Sequence, residues 1–531
     1  MPCKALNKTK TAKIARKKLL TGDAYLDLPL PSYFSKKRIG EGLRNIAEYL
    51  SKRDFNSLIR INELKSIDNA NYSLYMSKNN KYSWRIIELL HPVLYAHLVN
   101  LITKKGHWEL IFSKLNHNSK PNILVASNII IPCESLSETK SRSELEINNW
   151  YRLVELKSLQ KATEYTQLLH ADIFDFYGQI YTHTIAWALH GREVIKNALK
   201  ANGNQYIEKY FLGGKIDKAI RLMRGNQSNG IPQGSAVMDL IAETVLSYAD
   251  EKLSEKIKGL KTFIIRYRDD YRIFAADQET IAEANRTLVE VLHELGLRLN
   301  DGKTRVYNDV VQGSIKEDKW GWITSTHEIW MSDKELQNKS LLPKRPHHFL
   351  LALYKHVLEY PFPSQVLRGL NLLNDSLRKK DTFLKDRDSA YAFIGVLINI
   401  ADKFPKSIPQ VMGIISTIVK NWRADEIEDL MLRIQMRFEK RVNLDFLEIW
   451  LQRIALPHGI DFSCRTKLCK VVNKEIPAAE LWESSWINAR SLKRLISDFQ
   501  LIDLEVIKNI KSSENKDIPP DETELFIHQF S

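Results

Sequence analysis

Two adjacent acids, Asp269-Asp270, stand between two short apolar runs, and no other feature constrains the fold as tightly. Phe263-Ile264-Ile265-Arg266-Tyr267 and Tyr271-Arg272-Ile273-Phe274-Ala275 both read as strands. The gap between them, Arg268-Asp269-Asp270, is too short for anything but a tight hairpin, which puts two carboxylates at its tip. The neighbouring patterns extend this unit. Leu168-Leu169-His170-Ala171-Asp172-Ile173 reads as a buried strand ending in an acid. Gly230-Ile231-Pro232-Gln233-Gly234-Ser235 is a turn-rich loop, and a helical pattern runs from Ser235 to about Lys258. A second helix is expected from about Gln278 to Leu295, ended by Gly296, with Leu297-Arg298-Leu299 starting another strand. The order strand, helix, hairpin, helix, strand predicts a split βαβ-like sheet with helices on one side.

From about residue 335 the rhythm changes. Leu367, Leu370, Leu373 and Leu377 share one helical face; Ile427, Leu430, Ile434 and Phe438 share another. Pro343, Pro346, Pro405, Pro409, Pro457 and Pro477 fall between such segments, the pattern of stacked helical hairpins without a strict period. The chain therefore divides into residues 1–80, a basic arm and the start of a first lobe; 81–335, a mixed α/β region; and 336–531, an all-α region. The tail from Asp517 is acidic and expected to fray.

Composition narrows the partners. The 531 residues carry a formal charge of +14, which favours nucleic acid or an anionic surface. Four scattered cysteines make no disulfide framework and point to a reducing cytoplasm. No apolar run reaches membrane-spanning length.

The four middle segments resemble motifs of reverse transcriptases, in that family's order and spacing. Tyr267-Arg268-Asp269-Asp270 resembles the Y-x-D-D of motif C, and Ala171 through Tyr177 resembles motif A. Gly230 through Ser235 resembles the glycine-rich motif B, and Gly296 through Asn300 with Lys303-Thr304 resembles motif D. The resemblance implies an α+β right-hand polymerase, with fingers and a split βαβ palm, followed by an all-α helical-repeat domain in place of a thumb. The chemistry is consistent with the acids alone. Nucleotidyl transfer uses two divalent cations, and Mg²⁺ prefers a few carboxylates together with phosphate oxygens and water. Asp172 and Asp269 are the main candidate ligands, with Asp270 supporting and the Ile173 carbonyl added by resemblance. Mg²⁺ is the implied cofactor, with Mn²⁺ as a substitute.

Further roles follow from the same resemblance. Tyr177, beside Phe176, is the candidate steric gate against a ribose 2′-hydroxyl. Gln233 and Gly234 are expected at the nucleotide and the primer–template junction, with Tyr267 and Arg268 at the primer end. An arginine at position 268 departs from the small or apolar residue usual there. Lys303 is the candidate general acid for pyrophosphate. Weaker matches are Arg85 with His91-Pro92, and Lys140 with Arg142 as triphosphate contacts. Lys215, Lys218, Arg221 and Arg224 recur every three residues and read as a basic helical stripe for a phosphate backbone. His183 and His190 are assigned to packing and hydrogen bonding rather than to metal.

The run from Tyr181-Thr182-His183 to His190-Gly191 is similar to that of the bacterial antiphage, abortive-infection reverse transcriptases, and Arg266 through Phe274 to the second enzyme of a two-enzyme system. That resemblance implies antiphage DNA synthesis from dNTPs, with an RNA template, a non-coding RNA or no template, and a DNA or protein primer. Its implied partners are RNA, the DNA product, a second reverse transcriptase subunit and further copies of the chain, with no membrane. The alternatives are a template-independent nucleotidyl transferase and a catalytically silent RNA-binding scaffold.

Overall fold

The computed structural model describes residues 8–80, 83–116, 122–127, 150–330, 346–360, 363–379, 386–440 and 443–523. Among the described residues seven strands fall in two sheets. The first is a hairpin of β1 (Tyr72–Asn80) and β2 (Ser83–Leu89). The second has five strands in the order β3-β5-β6-β4-β7: β3 (Ile123–Val125), β4 (Gln167–Asp172), β5 (Thr262–Tyr267), β6 (Asp270–Ala275) and β7 (Arg305–Tyr307). β5, β6, β4 and β7 are mutually antiparallel, and β3 adds in parallel to β5.

Three sequence expectations change here. Asp270 is the first residue of β6, so the hairpin turn is only Arg268-Asp269. Leu297–Leu299 forms no strand; Leu299 makes a single bridge to Ile173, and the edge strand is β7. The sheet is covered on both faces. Leu169, Ala171, Ile264 and Ile273 join the large core, which includes the helices Ala236–Lys256 and Gln278–Glu294. Leu168, Ile265 and Phe274 join a second cluster with Val154 and Val310. The reason lies in the strands themselves. Leu168-Leu169, Ile264-Ile265 and Ile273-Phe274 are adjacent apolar pairs, and side chains alternate across a strand, so each pair needs burial on both faces.

The region after residue 335 has no named strand among the described residues, as its periodicity predicted. Leu367, Leu370, Leu373 and Leu377 are buried, as are Ile427, Leu430, Ile434 and Phe438. Pro346–Glu359 packs against both Ser364–Lys379 and Arg387–Lys403, and Ile408–Val419 packs against the last two. The described part of the tail is docked rather than frayed. Glu522 meets Arg453 at 2.7 Å, Asp517 meets Arg378 at 3.1 Å, and the Ile518 N–H donates to Ser416 Oγ at 2.9 Å. Buried ion pairs of this kind hold only with both partners present.

The last segment also closes the molecule. Ser35 N–H donates to the Leu501 carbonyl, Arg60 N–H to Trp486, Asn488 N–H to Leu58 and the Trp482 indole to Leu89. The basic amino-terminal arm belongs to this body: the helix Lys8–Leu19 buries Ala12, Ala15 and Leu19. Among the described residues no helix is long and apolar enough to cross a membrane.

Candidate active site

β4 and β6 pair with Asp172 directly opposite Asp270, and Asp269 stands one residue away in the turn. Like charges facing each other across an antiparallel pair repel. Asp270 is open to solvent yet densely surrounded by protein, the situation of a side chain on the floor of a cleft. That surrounding bulk, then Asp269 and Asp172, pushes its carboxyl up to about 7. Asp269 is raised as well, by desolvation first and then by Asp172.

Lys303 answers part of this charge. Its ammonium lies 3.0 and 2.9 Å from the two oxygens of Asp172, and Asn300 Nδ2 adds a third contact at 3.2 Å. The expected motif D therefore reaches the acids, with the Asn300 N–H also donating to the Asp172 carbonyl at 2.7 Å. The Ile173 N–H donates to the Asp269 carbonyl at 3.2 Å, so the backbone of Ile173 turns toward the hairpin tip.

The tip is held under strain. Arg268, the first turn residue, has φ +53°, a position that two-residue hairpins usually give to glycine, asparagine or aspartate. A residue with a Cβ costs about 1 kcal/mol there. Two bonds hold it: its N–H donates to Ser127 Oγ at 2.7 Å, and its carbonyl accepts from Arg266 at 3.0 Å. Arg266 is itself fully buried between Asp250 and Glu243, at 2.8 and 2.5 Å. This triad positions the turn, and its arginine sits inside the strand that the sequence marked only as apolar.

Motif B is stapled between motif A and the β1–β2 hairpin. Gly230 N–H donates to the Ile180 carbonyl, Ile231 N–H to Tyr177, and Glu88 N–H to the Gln233 carbonyl, all at 2.8–2.9 Å. Gly234 has φ +121°, and a Cβ there would lie 2.6 Å from Ile87 Cγ2, so glycine is required. Phe176 is buried and packs edge-on to Tyr177. The Tyr177 hydroxyl donates to Asp239 Oδ1 at 2.6 Å, and Arg268 approaches the other oxygen at 3.9 Å. Burial and then Asp239 raise the tyrosine well above its usual value, so it stays a donor. Arg85 lies near Asp269, Arg268 and Tyr177. Asp239 was missed by the sequence reading, although it is the one acid in the apolar run Ala236-Val237-Met238-Asp239-Leu240-Ile241-Ala242, a signal that could have marked it.

The basic stripe does not form. Arg221 is buried, bonded to Asp217 at 3.2 Å, Glu208 at 2.5 Å and Asn226. Lys218 faces Glu208 at 3.6 Å and Arg224 faces Glu88 at 3.6 Å, while Lys215 is half-buried. Most of the helix Leu212–Met223 is buried, and Lys218, Arg221 and Arg224 face acids of the protein itself. His183 bonds to Asp217 at 3.0 Å and His190 accepts from the Gly213 N–H at 3.2 Å, both as structural contacts. Lys140 and Arg142 lie outside the described residues.

Among the described residues no three acidic, His or Cys side chains converge closely enough to cage an ion by themselves. Mg²⁺ does not need such a cage, since it keeps waters and binds through one or two carboxylates plus substrate phosphates. Asp172, Asp269 and Asp270 fit that donor set. One cation of the protein itself, the Lys303 ammonium, is already seated on Asp172.

Comparison with known proteins agrees with this geometry. Residues 77–349 match the family model described as reverse transcriptase (RNA-dependent DNA polymerase). No curated protein matches the chain. Among solved structures, a telomerase from Candida albicans in complex with a fragment of telomeric RNA is similar at 12% identity and a TM-score of 0.28. That alignment covers 73% of this chain and 65% of the other. A telomerase from Candida tropicalis is similar at 12% identity and a TM-score of 0.30, over 70% and 65%. The chain thus spans less than two thirds of the length of these structures. The family match covers more than half of the chain and includes all four motifs, and the chain belongs to the reverse transcriptase family.

Proposed function

We propose that this chain is an RNA-directed DNA polymerase of antiphage defence that adds dNTPs to a DNA or protein primer. The observation that carries the polymerase reading is the pairing of Asp172 with Asp270 across β4 and β6, with Asp269 beside them in a strained, braced turn. Asp172, Asp269 and Asp270 would hold Mg²⁺, or Mn²⁺ in its place, with the Ile173 carbonyl adjacent. When bound there, metal ions would supply activation of the primer hydroxyl and charge neutralisation at the triphosphate. Lys303, 2.9–3.0 Å from Asp172, would be the group that gives a proton to the leaving pyrophosphate. Tyr177, fixed by Asp239, presents its ring where the sugar would lie and excludes a 2′-hydroxyl. Gln233 and Gly234 bring the motif B backbone close to the nucleotide, and Tyr267 with Arg268 borders the primer end.

The defence reading rests on the Tyr181–Gly191 run and on the helical region after the palm. On it, the partners are RNA, the DNA product and a second reverse transcriptase subunit or further copies of the chain, in the cytoplasm. One experiment tests both parts. The purified protein is given each dNTP alone and all four together, with Mg²⁺ or Mn²⁺, without template and with co-purifying RNA. Products are sequenced and tested for attachment to protein, with the Asp269→Ala/Asp270→Ala double variant as control. Synthesis that survives the double variant sinks the site assignment; a product unrelated to any RNA present replaces the templated reading with a template-independent one. Phage plating on cells carrying either form tests defence, which fails if both plate alike.

A further inference from the structure

One cation of the helical region stands at the polymerase cleft. Lys406 lies in the short 3₁₀ turn Pro405–Ser407, more than 130 residues beyond the catalytic hairpin. The turn is firmly seated. Phe404, Pro405, Ser407 and Ile408 are buried, and Ser407 Oγ donates to the Phe404 carbonyl at 2.7 Å. Lys406 is the one exposed residue of this stretch.

The turn packs on β1 of the fingers hairpin, and a small cavity at the seam is lined by Met76, Ser77, Pro405, Ile408 and Leu444. The seam is also bonded: Met76 bridges to Leu444, and the Tyr75 N–H donates to Asp445 Oδ2 at 2.8 Å. Met76 stands directly opposite Arg85 in the β1–β2 register, so both side chains leave the hairpin on one face, the face that meets the turn. Arg85 in turn neighbours Asp269 and Arg268. The groups that act on the Lys406 amine are Arg85, Lys316, Arg268 and Lys303, all cations. Surrounding protein first, and these charges next, pull the amine down to about 8. The amine is thus exposed on a turn seated against the β1–β2 hairpin, with other cations close by. Among the described residues neither Lys406 nor Arg85 makes a hydrogen bond or an ion pair.

Within this group Lys303 is paired with Asp172 and Arg268 faces Asp239, whereas Lys406 and Arg85 have no ion pair among the described residues, and a surface that concentrates positive potential draws in a dense anion. Ammonium and guanidinium groups together suit a phosphate: one as a point charge, the other as a planar fork. We propose that the helical region supplies Lys406 to the polymerase cleft as a phosphate-binding residue, acting with Arg85 across the seam with the fingers hairpin. The phosphate comes either from the incoming nucleotide or from a nucleic-acid strand. This assignment rests on the polymerase reading, but its test does not need synthesis.

Binding of inorganic tripolyphosphate, by calorimetry, and of a short labelled RNA or DNA, by anisotropy, is measured on the full chain across a salt series. Lys406→Ala, Lys406→Glu and Lys406→Arg are compared with Lys403→Glu, an exposed lysine one turn away on the neighbouring helix. Lys406→Ala should weaken one of the two probes by about tenfold and Lys406→Glu by more, with Lys406→Arg near wild type. Loss of tripolyphosphate binding assigns the nucleotide as source. Loss of oligonucleotide binding, with a salt slope lower by about one, assigns the strand. Unchanged binding of both probes overturns the proposal, as does an equal loss in Lys403→Glu. An unfolding scan of each variant separates loss of the site from loss of the fold.

Discussion

The palm sheet and the clasp between the two ends of the chain are built in opposite ways. In the palm, β4, β5, β6 and β7 come from residues 167–307, and the proposed catalytic groups sit in short motifs, Asp269 and Asp270 sharing one. In the clasp, Tyr33, Phe34, Leu58 and Arg60 meet Asp503, Ile502, Asn488 and Trp486 from the far end of the sequence, through backbone bonds that any residue type can make. The difference teaches where chemistry and stability reside. The palm tolerates repulsion between Asp172, Asp269 and Asp270, and a strained Arg268, because the surrounding core holds it. The clasp contains no such conflict; Trp482, Trp486, Ile487 and Leu501 are simply buried.

The sharpest way to separate the two regions is to remove a palm acid. Asp172→Ala or Asp269→Ala should lower synthesis at least a thousandfold, roughly, without lowering the melting temperature, since each change relieves like-charge repulsion. A steady-state assay beside a thermal scan checks this; a variant that stays active breaks the comparison. Next in size is the brace beneath the hairpin. Arg266→Ala leaves Glu243 and Asp250 buried without their partner and should cost about 3–5 kcal/mol in denaturant unfolding, with synthesis lost too. A loss under about 1 kcal/mol would show that the triad relaxes.

Trp486→Ala makes the matching cut in the clasp. A fully buried indole bonded to the Glu483 carbonyl is removed, at about 3–5 kcal/mol, but synthesis per folded molecule should persist. Activity that falls faster than the folded fraction would mean that the clasp also sets palm geometry. A smaller effect comes from acid. His91 packs on Trp486 beneath the clasp, bonds to Ser484 and caps the helix Pro92–Ile102, and burial pulls it down to about 3. It is neutral in the fold and charges in the unfolded chain near 6.5. Stability is therefore full above that value and falls as pH drops below it, by about 2 kcal/mol between pH 7 and 5. His91→Gln should flatten this slope in urea titrations; an unchanged slope would shift the acid sensitivity to other histidines. The smallest change is Tyr177→Phe. It keeps the ring and deletes the bond to Asp239, so rNTP discrimination should move only a few-fold, about 1 kcal/mol, whereas Tyr177→Ala moves it further. Equal ratios in both variants would remove the tyrosine as gate.

Much of the palm was legible because its signals are local. Short apolar runs mark β4, β5 and β6, Gly230 and Gly234 mark the loop, and Asp172, Asp270 and Lys303 come together at one end of the sheet with Asp269 beside them. The basic stripe was misread for an equally definite reason. A three-residue spacing puts Lys215, Lys218 and Arg221 on one side of a helix, but spacing does not say whether that side meets solvent or Glu208 and Asp217. The helices on one face of the sheet were a similar case, since adjacent apolar pairs admit a second layer that topology alone does not supply.

The sequence by itself determined the strands β4, β5 and β6, the acid-bearing hairpin and the helical character of the second half, because each follows from residues within a few positions of one another, and its ordered motifs carried the resemblance to the family. Tertiary structure alone decided that Asp270 faces Asp172, that Glu243 and Asp250 hold Arg266 beneath the turn, that Asp239 holds Tyr177 and that the turn carrying Lys406 packs on β1. Those contacts join residues far apart in the chain, and no local pattern encodes which distant charge a side chain will meet once the core has closed.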